Sequence, residues 1–363
     1  MLVLSLFDGI GTARLALERA GLAVEKYYSS EIDKYASAVT RYHYPDTIEL
    51  GDITLITKEM LPEKIDLIIG GSPCTNLSCS GDRKGLKGEQ SKLFFEFVRL
   101  VKEIRPKYFI LENVASMKKE WQEIMSNELF GIKPVMINAA LVSAQQRKRL
   151  FWVGKLNDKG EYEQVEIKQP EDRHIYLKDI LESGIGVKAS NYAKNISEPI
   201  DKSLCLMSRD YKGFGHQCMN GVIEREKSQT ILATIYKENT KSMVKRNKTG
   251  LIVIDKPKSC AMRGRYQKDN SIKQNVEVRK DDKTNSLTTV QKDSLILQRG
   301  EIRKLTPLEC ERLQSLDDNW TKYGKLDGKE IEISNTQRYK QCGNGFNCEV
   351  VKEILYQVFD KER

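Results

Sequence analysis

Leu2-Val3-Leu4-Ser5-Leu6-Phe7-Asp8-Gly9-Ile10-Gly11-Thr12-Ala13-Arg14-Leu15-Ala16 is the stretch that decides the fold class. Leu2–Leu6 is an apolar run the length of a strand. Asp8-Gly9 ends it, a helical pattern follows through Arg14–Ala20, and Gly21 stops that helix. The same alternation recurs outward along the chain. Tyr27–Ser30 reads as a second strand and Asp33–Tyr42 as a helix closed before Pro45. A third strand precedes Gly51-Asp52. Asp66–Gly70 reads as a buried strand, Lys92–Ile104 has helical spacing, and Tyr108–Leu111 and Leu150–Val153 are further strands. Strands apolar on both faces, alternating with helices, predict an α/β fold with a doubly wound, mostly parallel sheet of Rossmann-like type. Ligands of such sheets sit at the carboxyl ends of the strands, so the residues that follow strands are the candidates for function.

The rest of the chain sets bounds on that reading. Its 363 residues predict two domains at ~150 residues each. Eight cysteines are scattered without a CxxC pair, and there are three histidines. That pattern predicts free thiols in a reducing compartment and no metal site. Met1–Phe7 is too short and lacks the basic flank of an export signal, and no apolar run approaches the ~20 residues that cross a bilayer. A cytoplasmic location, with no membrane partner, is expected. The net charge of +9, from 60 Lys+Arg against 51 Asp+Glu, permits a polyanionic partner. After Gly154 the texture becomes polar and lysine-rich. Three similar segments, at 202–208, 227–234 and 283–290, read as strands of a smaller, β-rich domain. Helical periodicity resumes at Thr306–Leu316, with Pro307 in its first turn, and again at Asn347–Phe359.

Several strand ends carry reactive or ligand-binding residue types. In Phe7-Asp8-Gly9-Ile10-Gly11 the glycines let backbone approach a ligand. A dinucleotide fingerprint would need glycine where Arg14 stands, which disfavours pyrophosphate and excludes a dehydrogenase. Glu31 ends the second strand, where an acid meets ribose hydroxyls, and Gly51-Asp52-Ile53 offers a polar and an apolar residue to an adenine ring. Together they suggest an adenosyl ligand without pyrophosphate. Ser72-Pro73-Cys74 puts a thiol at the carboxyl end of a central strand, although a buried structural thiol is the commoner fate of a single cysteine. Glu112-Asn113-Val114 follows the neighbouring strand, where an acid can also serve as a helix cap. Gln145-Gln146-Arg147-Lys148-Arg149 sends two guanidiniums to one side, as a carboxylate clamp or a solvated basic run.

In this order the motifs resemble those of the cytosine-C5 DNA methyltransferases. Phe7-Asp8-Gly9-Ile10-Gly11, Ser72-Pro73-Cys74, Glu112-Asn113-Val114 and Gln145-x-Arg147-x-Arg149 are followed by Arg303-Lys304-Leu305-Thr306-Pro307-Leu308-Glu309 and Gln341-Cys342-Gly343-Asn344-Gly345-Phe346. The loop Ser72-Pro73-Cys74-Thr75-Asn76-Leu77-Ser78 resembles the mammalian de novo subgroup. Ala144 stands where proline often precedes the Gln-x-Arg-x-Arg run, and Gly345 where the terminal Gly-Asn motif often has Ser or Ala.

The resemblance implies methyl transfer from S-adenosyl-L-methionine to C5 of an extruded cytosine in a specific double-stranded DNA sequence. S-adenosyl-L-homocysteine would be the other product. Cys74 would be the nucleophile, Glu112 would hold the N3/N4 edge, Arg147 would steady the base and the Cys–Glu geometry, and Arg149 would support the loop. The donor would lie along Phe7, Asp8, Gly9, Ile10 and Gly11, with its ribose on Glu31, its adenine near Ile32, Asp52 and Ile53, and Ser72, Pro73 and Asn344 closing the pocket. Residues 1–155 with 325–363 are the expected catalytic domain. Residues 156–324 are the expected recognition domain, with Arg263 and Arg265 as DNA contacts. A monomer is expected, of bacterial or phage origin, with a companion restriction endonuclease as a possible partner. The rival readings are a methyltransferase acting on transfer RNA and a non-catalytic DNA-binding relative.

Overall fold

The computed structural model describes residues 1–61, 64–73, 89–182, 258–266, 272–279, 281, 283–284, 295–298 and 301–360. Cys74 and the loop after it lie outside the described residues, as do the segments 202–208 and 227–234. The chain divides into two compact units. One takes Met1–Tyr176 and Thr306–Arg363, and the other takes the described residues between Leu177 and Leu305.

The first unit opens with β1 (Leu2–Leu6), α1 (Thr12–Arg19), β2 (Lys26–Ser30), α2 (Lys34–His43), β3 (Ile48–Glu49) and β4 (Leu67–Gly71). It continues through α3 (Glu89–Ile104), β5 (Tyr108–Val114), α4 (Lys119–Glu128), β6 (Val135–Asn138), β7 (Lys148–Leu156) and β8 (Tyr162–Gln164). The sheet order is β3-β2-β1-β4-β5-β7-β6, with β8 on β7. From β3 to β5 every pairing is parallel. Strand β7 runs antiparallel to both β5 and β6.

Alternate residues of the central strands feed two separate cores, because successive Cβ atoms of a strand point to opposite faces. Val3, Leu67, Ile69, Tyr108 and Ile110 join one core, with Leu15 and Leu17 of α1 and Val39 of α2. Leu4, Leu6, Ile68, Phe109 and Leu111 join the other, with Phe94, Phe97 and Val101 of α3 and Met125 of α4. Helices on both faces bury a sheet that is apolar on both sides.

The second unit holds α5 (Leu177–Ile180), β9 (Lys258–Tyr266), β10 (Ile272–Val278), β11 (Leu295–Gln298) and β12 (Glu301–Lys304). Its four strands form an antiparallel sheet ordered β10-β9-β11-β12. Arg263 and Arg265 fall in β9, opposite Asn275 and Lys273. The chain then returns to the first unit through α6 (Pro307–Leu313), the hairpin β13 (Tyr323–Leu326) and β14 (Lys329–Glu332), α7 (Asn335–Asn344) and α8 (Cys348–Asp360). No described helix is long and apolar enough to cross a membrane.

The unit boundaries fall at 176/177 and 305/306, not at 155/156 and 324/325. At the first, β7 turns back into β8, and the chain beyond is strapped to α8. Arg173 pairs with Glu349 at 2.7 Å and Glu353 at 2.6 Å, and Gln357 and Lys168 exchange two hydrogen bonds. At the second, α6 belongs with the parallel sheet. Thr306 and Glu309 form a reciprocal capping box, and the Leu313 carbonyl accepts from Gln145 and from Asn347.

Glu311 of α6 is fully buried and anchors this return. One oxygen accepts from the Arg338 guanidinium at 2.8 Å, the Thr321 N–H at 2.9 Å and the Thr321 hydroxyl. The other accepts from the Asn319 N–H at 2.8 Å. Deleting one partner of a buried pair leaves the other charge uncompensated, which costs about 3–5 kcal/mol. Glu311→Ala is therefore expected to lower stability by about that amount in chemical denaturation. A loss below about 1 kcal/mol would show that water replaces the carboxylate.

Candidate active site

The site is built at the carboxyl edge of the parallel strands. After β1, Phe7 (φ 57°) and Gly9 (φ 65°) take left-handed backbone, and Gly11 (φ 73°) does so at the N-cap of α1. Glycine tolerates that region, whereas a phenylalanine there is strained, as is common in ligand-binding loops. The Gly9 N–H donates to Glu31 Oε2 at 2.9 Å, and the Ile32 and Asp33 N–H groups donate to Oε1. Glu31 thus clips the β1–α1 loop to the end of β2. Arg14 is buried over the Tyr44 ring and paired with Asp46 at 2.7 Å.

The adenosyl pocket expected from the sequence is assembled unevenly. Ile32 is 78% exposed, an open apolar platform at the end of β2. Ile53 is instead buried in the core, and Asp52 caps its own turn by accepting from the Thr54 N–H and hydroxyl. Thr12 Oγ1 is buried with no hydrogen-bond partner among the described residues. It lies 3.8 Å from where a Cβ on Gly345 would sit. Asn344 is exposed at the end of α7, beside that glycine. Glu31, Ile32, Gly9, Thr12 and Asn344 therefore border one rim. An unsatisfied hydroxyl, an open apolar platform and glycine-lined backbone fit an adenosyl amino acid.

At the next strand ends, Glu112 of β5 lies beside Gly71 of β4. A Cβ on Gly71 would come within 2.8 Å of Phe346 and 3.0 Å of Glu112 Oε2, so only glycine admits both groups. Ser72 is buried, and Asn113 Nδ2 donates to its carbonyl at 3.2 Å and its hydroxyl at 3.0 Å. Asn113 thereby fixes the β4 end immediately before Pro73 and Cys74. Its signal in the sequence is its place between Glu112 and Val114, which by itself does not disclose this task.

The two arginines make different contacts. Arg149 Nε contacts Glu112 Oε1 at 2.8 Å. Arg147, only 3% exposed, donates to the carbonyls of Gly345 at 2.8 Å and Gly343 at 3.3 Å. Arg147 therefore holds the carboxyl end of α7, where cations are favoured, and Arg149 orients the carboxylate. Both still line one pocket, together with Glu112, Phe151 and Phe346. Gln314, also unassigned from the sequence, donates to the Cys342 carbonyl and, at 3.3 Å, to that of Gly345. Among the described residues no cluster of His, Cys, Asp or Glu is suited to a metal.

The sequence profile described as C-5 cytosine-specific DNA methylase matches residues 1–360. The chain belongs to this family. Orphan methyltransferase M.SPRI of Bacillus phage SPR is 30% identical over 440 aligned positions, which cover 99% of this chain and 98% of that protein. Orphan methyltransferase M.SPBetaI of Bacillus phage SPbeta is 25% identical, with 98% and 97% covered. The solved structure of the Entamoeba histolytica methyltransferase EhMeth shares the fold, with a TM-score of 0.59, 15% identity, and 100% of this chain and 99% of that one covered.

Asp8 adds a pH dependence to the DNA methylase loop. Burial raises its carboxyl from 3.8 to about 6, against the opposing hydrogen bond from the Tyr27 hydroxyl. The folded state therefore favours the neutral acid. The stability that Asp8 contributes is complete below pH 3.8 and is lost as pH rises through about 6. The loss amounts to about 3 kcal/mol. Asp8→Asn, which still accepts from Tyr27, is expected to melt higher than the wild type at neutral pH and to lose that advantage near pH 4. An equal difference at both pH values would show that Asp8 does not titrate in this range.

Proposed function

We propose that this chain transfers a methyl group from S-adenosylmethionine to C5 of cytosine in a specific double-stranded DNA sequence. The observation that carries the reading is the Glu112 carboxylate, oriented by Arg149 at the end of β5 and set beside the Ser72-Pro73 turn that leads into Cys74. C5 of cytosine is a poor nucleophile. Addition of the Cys74 thiolate to C6 turns the C4–C5 edge into an enamine, and sulfur is a strong nucleophile once deprotonated. Glu112 holds the N3/N4 edge and shares a proton at N3 as charge develops there. Arg149 keeps the carboxylate on that edge, and Arg147 keeps the α7 end in place behind it. S-adenosylmethionine supplies the electrophilic methyl group. A base then removes the C5 proton, and Cys74 is eliminated.

A stacked cytosine is out of reach of such a pocket, so the target base is extruded at a cost of a few kcal/mol. Residues of the second unit, including Arg263 and Arg265 on β9, then read the duplex. The names of M.SPRI and M.SPBetaI describe them as orphan methyltransferases. By that likeness this chain acts without a companion restriction endonuclease, and the companion raised by the sequence is set aside.

Bisulfite sequencing of unmethylated genomic DNA treated with the chain and S-adenosylmethionine is expected to reveal protected cytosines within one short motif. Complete conversion, beside a methylase control that protects its own sites, would overturn the reading, and transfer to tRNA in the same assay would replace it. Cys74→Ala is expected to abolish transfer and to retain DNA binding. Glu112→Gln is expected to reduce turnover by about 100-fold or more. A change of only a few-fold in single-turnover rate would reduce Glu112 to a structural role.

A further inference from the structure

Helix α7 is fastened at two points in its carboxyl half, and the two fastenings differ in kind. At its carboxyl end the buried Arg147 holds the Gly343 and Gly345 carbonyls. One turn earlier, Lys340 Nζ reaches Asp33 Oδ2 at 2.6 Å, joining positions 307 residues apart. This second fastening faces solvent, with side chains 48% and 23% exposed. Asp33 stands next to the exposed Ile32 platform, and its N–H donates to Glu31. Its other carboxylate oxygen accepts from the Tyr35 and Ala36 N–H groups and caps α2. The Lys340–Asp33 pair therefore spans the rim that also holds Glu31, Ile32 and Asn344.

We infer that Lys340 is a positioning residue for the methyl donor, and that its ion pair with Asp33 holds the α7 wall against the β2 end around the adenosyl group. The inference rests on the methyltransferase reading above. The buried Arg147 contact keeps α7 in place, and the solvated Lys340 contact is the one that loosens to admit and release the donor. Asp33 is suited to this task because capping occupies one oxygen and leaves the other for the lysine. An exposed pair is worth up to about 1 kcal/mol, or about fivefold in affinity. The pair therefore sets how long the donor stays without governing whether the site forms.

The test is the dissociation constant for S-adenosylmethionine of the full chain, measured by titration calorimetry, with KM and kcat from methyl transfer. Lys340→Gln and Asp33→Asn each remove one charge, and asparagine preserves the cap on α2. Each is expected to weaken donor binding by about three- to fivefold and to raise KM in step, with kcat at saturating donor unchanged. The double variant is expected to be no weaker than either single one, because both remove the same interaction. Lys340→Arg is expected to restore wild-type binding. The gap between wild type and Lys340→Gln is expected to close at about 1 M salt, where the screening length falls to about 3 Å. Unchanged binding in both single variants, or additive losses in the double, would overturn the inference and leave the methyltransferase reading standing. Wild-type chain that binds no S-adenosylmethionine would overturn both.

Discussion

Strand β7 runs against β5, and its register places Arg149 opposite Val114 and Phe151 opposite Glu112. In a parallel sheet the residues that begin a strand lie at the edge away from the ligand. The reversal brings the start of β7 to the edge where β5 ends. Gln145, Arg147 and Arg149 thereby join Glu112, Ser72 and the loop after β1. A parallel β7 would send both guanidiniums to the far edge and leave the Glu112 carboxylate without its cation.

The same edge depends on groups far away in sequence. The Trp320 indole donates to the Ile10 carbonyl at 3.1 Å, stacks on His43 at 3.7 Å and packs under the β1–α1 loop. Phe346 fills the space that Gly71 leaves open. The segment from α6 to α8 thus completes a pocket whose other walls come from residues 112–151. The buried Glu311–Arg338 pair holds that segment in one geometry. Specificity of geometry, more than net stability, is what a buried ion pair can supply here, because desolvation offsets much of the attraction.

Charge is distributed around the site by depth. The buried Arg147 holds carbonyls, and the buried Arg14 lies over the Tyr44 ring while pairing with Asp46. The partly exposed Arg149 orients the Glu112 carboxylate. The outermost pair, Lys340–Asp33, is the most open to water. The Arg149–Glu112 pair lies deeper than the Lys340–Asp33 pair, which suits a site that keeps its reacting groups fixed while a small molecule is exchanged.

The sequence by itself determined the strand–helix alternation from Leu2 to Ile104, because apolar periodicity is local and the central strands are buried on both faces. It also determined which strand ends carry Glu31, Ser72 and Glu112. Helix α7 escaped it, since the buried positions of Asn335–Asn344 are Arg338, Gln341, Cys342 and Gly343, a largely polar set with no apolar period to read. The direction of β7, the pairing of Arg149 with Glu112, the burial of Ile53 and the Lys340–Asp33 contact were decided only in tertiary structure. Each depends on strand register or on partners scores to hundreds of residues away, and no local pattern encodes which of several cations meets a given carboxylate.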